Sequence, residues 1–66
     1  MRTIFDGKLI SKGDKYFTLF DTNYGIVVGI NDYGNLIKDY KDNDSIIVLT
    51  HSYDNNEYNA LMIIKK

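Results

Sequence analysis

Four aromatic residues lie close together in the chain, at Tyr16, Phe17, Phe20 and Tyr24. Aromatic rings displayed on a β-strand stack on the bases of single-stranded nucleic acids, and each stacked base contributes roughly 1–3 kcal/mol. Neighbouring side chains on a strand point to opposite faces. Either Tyr16 and Phe20 therefore lie on the outer face and Phe17 packs inside, or Phe17 is the exposed ring. The sequence leaves both registers open, and packing of these rings in the core is the competing interpretation.

Lysines flank this aromatic group. Lys12 and Lys15 border it on one side, and Lys38 and Lys41 lie in the longest polar connection of the chain. Such a patch can hold one or two backbone phosphates of a nucleic acid. Aspartates interleave with these lysines, which is typical of a mixed, solvated surface. The chain has 8 basic and 9 acidic residues and a net charge of −1, so it lacks the overall basic field of most nucleic-acid binders.

No group of residues predicts catalysis or a metal site. The sequence has no cysteine and a single histidine, His51, with no partner that would orient it as an acid or base. The aspartates at positions 39, 42 and 44 lack the glycine and the distal glutamate of a calcium-binding loop. We therefore expect neither enzymatic activity nor a cofactor, and we interpret His51 as a surface or partner-contact residue.

Three short segments are apolar at consecutive positions rather than at alternating ones: residues 26–28, 46–49 and 61–64. A strand with one wet face alternates apolar and polar residues, so these strands are expected to carry apolar side chains on their outer face too. The long connection covers that face, or the face docks on a second copy or another protein. For the docking alternative, the predicted contact residues in the fourth and fifth strands are Ile47, Leu49, His51, Leu61 and Ile63.

Length and composition indicate one small all-β domain that spans residues 1–66. A chain of 66 residues buries only about 60% of its unfolded surface, so its stability is marginal. Apolar runs alternate with turn clusters, which predicts five short strands over residues 3–10, 15–20, 25–30, 44–51 and 59–65. Residues 11–14 are expected to form a turn, and Leu36 and Ile37 a helical turn or a short extra strand. No segment has the length of a membrane span or the pattern of a signal peptide, which predicts a cytoplasmic protein with no membrane partner.

The order of the predicted strands, with the longest connection between the third and the fourth, resembles the OB-fold and within it the S1 RNA-binding domains. Bacterial translation initiation factor one has the same single-domain layout. The segments that carry the resemblance are Gly7-Lys8-Leu9, Tyr16-Phe17-Thr18-Leu19-Phe20, Gly25-Ile26-Val27-Val28-Gly29-Ile30, Asn43-Asp44-Ser45-Ile46-Ile47-Val48, Tyr53-Asp54 and residues 60–65. The resemblance implies a five-stranded S1-type barrel that binds single-stranded RNA and acts in translation or RNA metabolism.

Three positions depart from the S1 pattern. Gly29 stands where many S1 domains have a histidine that contacts RNA, Asp14 and Lys15 replace an aromatic turn residue, and Asn43 replaces a glycine. Asn43 still permits the left-handed backbone conformation. On the resemblance, RNA would contact Lys12, Lys15, Tyr16, Phe17, Phe20, Tyr24 and Lys38. The alternative is a protein-binding module of viral or mobile-element origin that inhibits or mimics a host factor through its apolar face.

Overall fold

The computed structural model describes residues 1–54 and 57–66. Five β-strands follow one another along the chain: β1 (Arg2–Gly13), β2 (Tyr16–Asp21), β3 (Ile26–Asn31), β4 (Ser45–His51) and β5 (Tyr58–Lys65). A single turn of 3₁₀ helix, Leu36–Asp39, lies between β3 and β4. This confirms a small all-β architecture. Asn55 and Asn56, which come between the fourth and fifth predicted strands, lie outside the described residues.

The five strands form a closed sheet in the order β1-β2-β3-β5-β4. β1 pairs with both β2 and β4, so it closes the sheet, and every pairing is antiparallel except the short contact of β3 with β5. That contact joins Ile30 to Tyr58 and Asn31 to Asn59. One end of β3 is therefore held beside the start of β5, which brings the β1–β2 turn and the end of β4 to the same edge.

Buried residues alternate with more exposed ones along the strands, so every second side chain points into the interior of the closed sheet. Along β4, Ile46, Val48 and Thr50 are buried and the residues between them are half-buried. The apolar interior consists of buried aromatic and aliphatic side chains from β1 to β4 and of one side chain from the 3₁₀ helix. These residues are Phe5, Leu9, Phe17, Leu19, Val28, Ile30, Ile37, Ile46 and Val48. Hydrophobic burial of this inner set is the main favourable term for folding.

β1 is longer than the sequence predicted, because it continues through the residues expected to form a turn. A bulge between Leu9 and Ser11 shifts the β1–β2 register, after which pairing resumes and reaches Gly13 and Tyr16. Bulges bend a strand and raise its twist, so one strand can pair with both β2 and β4. The actual turn has only two residues, Asp14 and Lys15, and Lys15 adopts a left-handed φ of 61°.

A buried carboxylate ties the β2–β3 turn to β1. The Oδ1 atom of Asp21 accepts a hydrogen bond from the backbone N–H of Asp6 at 2.9 Å, and its Oδ2 atom accepts one from Tyr24 at 2.7 Å. Gly25 closes this turn at a φ of 69°, a conformation that glycine adopts without steric cost. The turn at positions 21–24 is thus stabilised by its own first side chain.

The carboxylate of Asp32 also binds backbone N–H groups, at the other end of β3. Its two carboxylate oxygens accept hydrogen bonds from the backbone N–H groups of Leu36 and Ile37, both at 2.9 Å. These contacts hold the 3₁₀ helix across one opening of the closed sheet, where Ile37 is 2% exposed. Of the two forms expected for residues 36–37, the helical turn is confirmed. No helix in the described part of the chain is long and apolar enough to cross a membrane.

Candidate nucleic-acid interface

The outer face of β2 displays two aromatic rings. Tyr16 is 51% exposed and Phe20 is 40% exposed, whereas Phe17 and Leu19 are fully buried. This selects the first of the two registers that the sequence left open. It also corrects the inclusion of Phe17 among the ligand-contacting residues, because a ring inside the closed sheet cannot reach a ligand on its surface.

The ring of Tyr16 packs over Gly13 on the neighbouring strand. Gly13 pairs with Tyr16 across β1 and β2, and a Cβ atom built on Gly13 would lie 2.2 Å from Cε1 of the tyrosine ring. The ring therefore occupies the space that a side chain at position 13 would fill, an arrangement that protects an exposed glycine in a sheet. Its other side remains open to solvent and is a platform for a planar group.

Between the two rings, the outer surface of the sheet carries only short side chains. Thr18 lies midway along the stripe and pairs with Ser11 on one side and Gly29 on the other. The hydroxyls of Ser11 and Thr18 are 2.6 Å apart, and no atom lies within 4 Å of a Cβ built on Gly29. Tyr16 and Phe20 are four residues apart, or about 13 Å along the strand. An open floor of that length with two hydroxyls accommodates a nucleotide base or a ribose between the ring platforms.

One end of this face continues into a row of polar side chains, of which the sequence did not single out Asn31 and Asn59. The Nδ2 atom of Asn31 donates to Oδ1 of Asn59 at 3.4 Å, and Nδ2 of Asn59 donates to the carbonyl of His51 at 3.2 Å. The His51 ring in turn makes an edge contact with Tyr53, with ring centroids 4.6 Å apart. The β3–β5 pairing brings Asn31 to Asn59, and the β4–β5 pairing brings Asn59 to His51, so the spacing of these three residues in sequence gave no signal.

The three predicted phosphate-binding lysines are exposed but differ in their surroundings. Lys15 lies in the β1–β2 turn next to Tyr16, and Lys38 lies in the 3₁₀ helix. The Nζ atom of Lys12 donates to the carbonyl of Tyr40 at 2.7 Å, so it holds the connection between β3 and β4 against the end of β1. Lys15 therefore borders the aromatic face at Tyr16, and Lys8, which pairs with Phe20 across β1 and β2, borders it at the other ring.

Tyr24 lies in the β2–β3 turn beyond Phe20 and is 66% exposed. Its backbone is fixed by the hydrogen bond to Asp21. Tyr16 begins β2, and Tyr24 therefore lies beyond the opposite end of that strand. Residues 1–54 and 57–66 enclose no pocket and contain no group of His, Asp and Glu side chains that could hold a metal ion. The arrangement is an open track rather than a cleft.

A second, apolar surface lies on the outside of β1, β4 and β5, and it differs in part from the predicted one. Ile47, Leu49 and His51 are half-buried on the outer side of β4, as expected. Ile63 is wrongly assigned to this surface, because it pairs with the buried Val48 and packs against the core. Leu61 is 46% exposed and lies where a register shift interrupts the β4–β5 pairing.

The outward residues of β5 are instead Met62 and Ile64, which pair with Leu49 and Ile47. Ile4 of β1 pairs with Leu49 from the other side and is 60% exposed. We call the set Ile4, Ile47, Leu49, Met62 and Ile64 the apolar face. The register shift in β5 exchanges the residues that point outward with those that point inward. The hydropathy of the individual strands gives no sign of this shift.

Comparison of the chain with protein-family models, with curated proteins and with solved structures gave no match. Any function assigned to it therefore rests on the geometry of its own residues.

Proposed function

We propose that this chain is an OB-type barrel that binds single-stranded RNA on the outer face of β2 and β3. The observation that carries the proposal is the outer stripe of β2, in which exposed Tyr16 and Phe20 flank half-buried Thr18 beside the open position at Gly29. OB barrels bind oligonucleotides on the face of their second and third strands, between the loops that follow the first and the fourth strand. The strand order β1-β2-β3-β5-β4 and the long connection after β3 support the assignment to this fold.

Binding would rest on stacking rather than on charge. Tyr16 and Phe20 each offer a platform for one base, and the Ser11–Thr18 hydroxyl pair between them can bond to a base edge or a 2′-hydroxyl. The amide groups of Asn31 and Asn59 lie at the end of the track beside Tyr16, where they can bond to the edge of a base. Because every base has a flat face, such a site tolerates many sequences.

Phosphate contacts are few, which sets the expected salt dependence. With Lys15 and Lys38 as the two contacts, the logarithm of the binding constant should fall with the logarithm of salt with a slope of about −1.4. Raising the salt concentration from about 50 to about 200 mM then weakens binding about sevenfold. A steeper dependence would require a third phosphate contact, for which Lys8, the cross-strand partner of Phe20, is the available cation.

The test is a fluorescence anisotropy titration of the protein into a labelled single-stranded RNA of about ten nucleotides, within the site size of such folds. Tyr16→Ala should weaken binding roughly 5- to 150-fold, which corresponds to the loss of one stacked base. Met62→Ala is the matched control, because Met62 is 52% exposed and Tyr16 51%, and Met62 lies on the apolar face. Absence of binding at about 50 mM salt, or equal loss of affinity in both variants, would rule out this site.

A protein-binding role is the second candidate function, and a separate observation supports it: the apolar face on β1, β4 and β5. The two candidates use different strands, so evidence for one leaves the other open.

A further inference from the structure

The apolar face is a continuous patch in two rows. Ile4, Leu49 and Met62 lie side by side across β1, β4 and β5, and Ile47 and Ile64 form the next row. Three of the five side chains are at least half exposed: Ile4 at 60%, Met62 at 52% and Ile64 at 51%. With strands about 4.8 Å apart and rows about 7 Å apart, the side chains cover an area about 10 Å wide and 7 Å long between their attachment points.

The margin of the apolar face is basic. Arg2 lies two residues before Ile4 on the same side of β1, and Lys8 lies two residues beyond Asp6. Lys66 reaches Asp6, the acidic residue of this margin, with its Nζ atom 3.0 Å from the carboxylate. The margin thus has three basic residues and one acidic residue, whereas the rest of the chain has five basic and eight acidic ones.

We infer that the apolar face docks an amphipathic helix of another protein, with an apolar stripe flanked by acidic residues. One row of three apolar side chains lies across β1, β4 and β5, and a second row of two lies on β4 and β5, with Asp6 at its β1 position. Together they match the stripe that a helix of two to three turns presents through positions i, i+3, i+4 and i+7. Glutamates or aspartates beside that stripe would meet Arg2 and Lys8. The described part of the chain has no helix of its own over this face.

The charge pattern argues against a second copy as the occupant. In a twofold dimer the same patch faces itself. Arg2, Lys8 and Lys66 of both copies would then surround one apolar centre, and like charges across an interface are unfavourable. A partner with acidic flanks gains attraction from the same residues.

The residue types of the apolar face also favour a helix, rather than a lipid surface, as its binding partner. Surfaces that enter a bilayer interface carry Trp, Phe or Leu side chains that reach into the acyl boundary. The apolar face has no Trp or Phe, and its only leucine, Leu49, is half-buried. A helix lying along the sheet fits it better.

The test uses two stapled helical peptides of about fourteen residues, long enough for the stripe, with an identical leucine stripe and flanks of either glutamate or lysine. Binding is followed by isothermal titration calorimetry at moderate salt. The glutamate-flanked peptide should bind at least about tenfold more tightly, and Met62→Asp should remove binding while Tyr16→Ala leaves it unchanged. Circular dichroism of each variant checks that the fold is retained.

A charge-reversed variant supplies the second test. The double variant Arg2→Glu, Lys8→Glu should invert the preference, so that the lysine-flanked peptide binds more tightly. Four results would overturn the inference: equal affinity for both peptides, no binding of either one, a twofold dimer in sedimentation that Met62→Asp disrupts, or binding of the protein to vesicles of anionic phospholipid with no binding of the peptide.

Discussion

Replacing Gly7 by alanine tests the packing of β1 against β2, on which the position of the aromatic stripe depends. A Cβ atom at position 7 would lie 1.7 Å from the carbonyl oxygen of Phe20 and 2.7 Å from its carbonyl carbon. The contacting atoms are backbone, so no rotamer change relieves the overlap. The carbonyl oxygen would have to retreat by about 1.7 Å to reach an ordinary contact of 3.4 Å. Because Phe20 also pairs with Val27 of β3, that movement disturbs two strand pairings.

We expect Gly7→Ala to cost about 3 kcal/mol or more of folding free energy, the upper range for overpacking a core. A domain of this length has a total stability of about 3–10 kcal/mol, so the variant should be largely or wholly unfolded at the low end of that range. Gly29→Ala is the matched control, since it is the same substitution in the same sheet with no atom within 4 Å of the new methyl group. Removing a glycine from a strand should leave stability unchanged or raise it by up to about 1 kcal/mol.

The measurement is urea unfolding at 25 °C followed by far-ultraviolet circular dichroism, with the two variants compared with the parent chain. The free energies of unfolding should separate by at least about 3 kcal/mol between Gly7→Ala and Gly29→Ala. Equal midpoints for the two variants would show that β1 and β2 do not approach each other as described.

Three further predictions concern single contacts. Asp32→Ala removes the acceptor of the Leu36 and Ile37 N–H groups and should lower the unfolding free energy by about 2–4 kcal/mol in the same urea assay; a loss below about 0.5 kcal/mol would contradict the capping role. Asn43 has a φ of 75°, so Asn43→Gly should leave the unfolding free energy nearly unchanged, whereas Asn43→Val should lower it by about 1–2 kcal/mol. An equal loss in both variants would contradict this assignment. Lys15→Glu should weaken RNA binding and reduce the salt slope by about 0.7 in the anisotropy titration, and an unchanged slope would remove Lys15 from the phosphate contacts.

The sequence predicted the number and order of the strands because each one is a local pattern of apolar residues between turn residues. It also predicted that Asn43, in the place of a family glycine, can adopt a left-handed φ. Strand faces were harder to assign. Tyr16 and Phe17 are neighbours that point to opposite sides, and the burial of Phe17 with its cross-strand partner Ile30 shows that Phe17 is the one inside.

Long-range pairing also explains what the sequence missed. Ile63 was assigned to the outer face, but the register shift between Leu49 and Thr50 of β4 and their β5 partners moves it inward. The side chains of Asn31 and Asn59 meet because two strands run parallel for a short stretch, and their sequence separation of 28 residues conceals this contact. Local patterns define the elements, whereas bulges and register decide which side chains share a face.

The most direct test of the RNA proposal is a map of the contact surface by nuclear magnetic resonance. The backbone amide signals of the ¹⁵N-labelled protein would be followed during titration with a short single-stranded RNA at low salt. Signals of β2 and β3 should move, those of Thr18 and Gly29 most clearly, while those of Ile47 and Leu49 on the apolar face stay in place. Shifts confined to β4 and β5, or no shifts at all, would contradict RNA binding on the β2–β3 face.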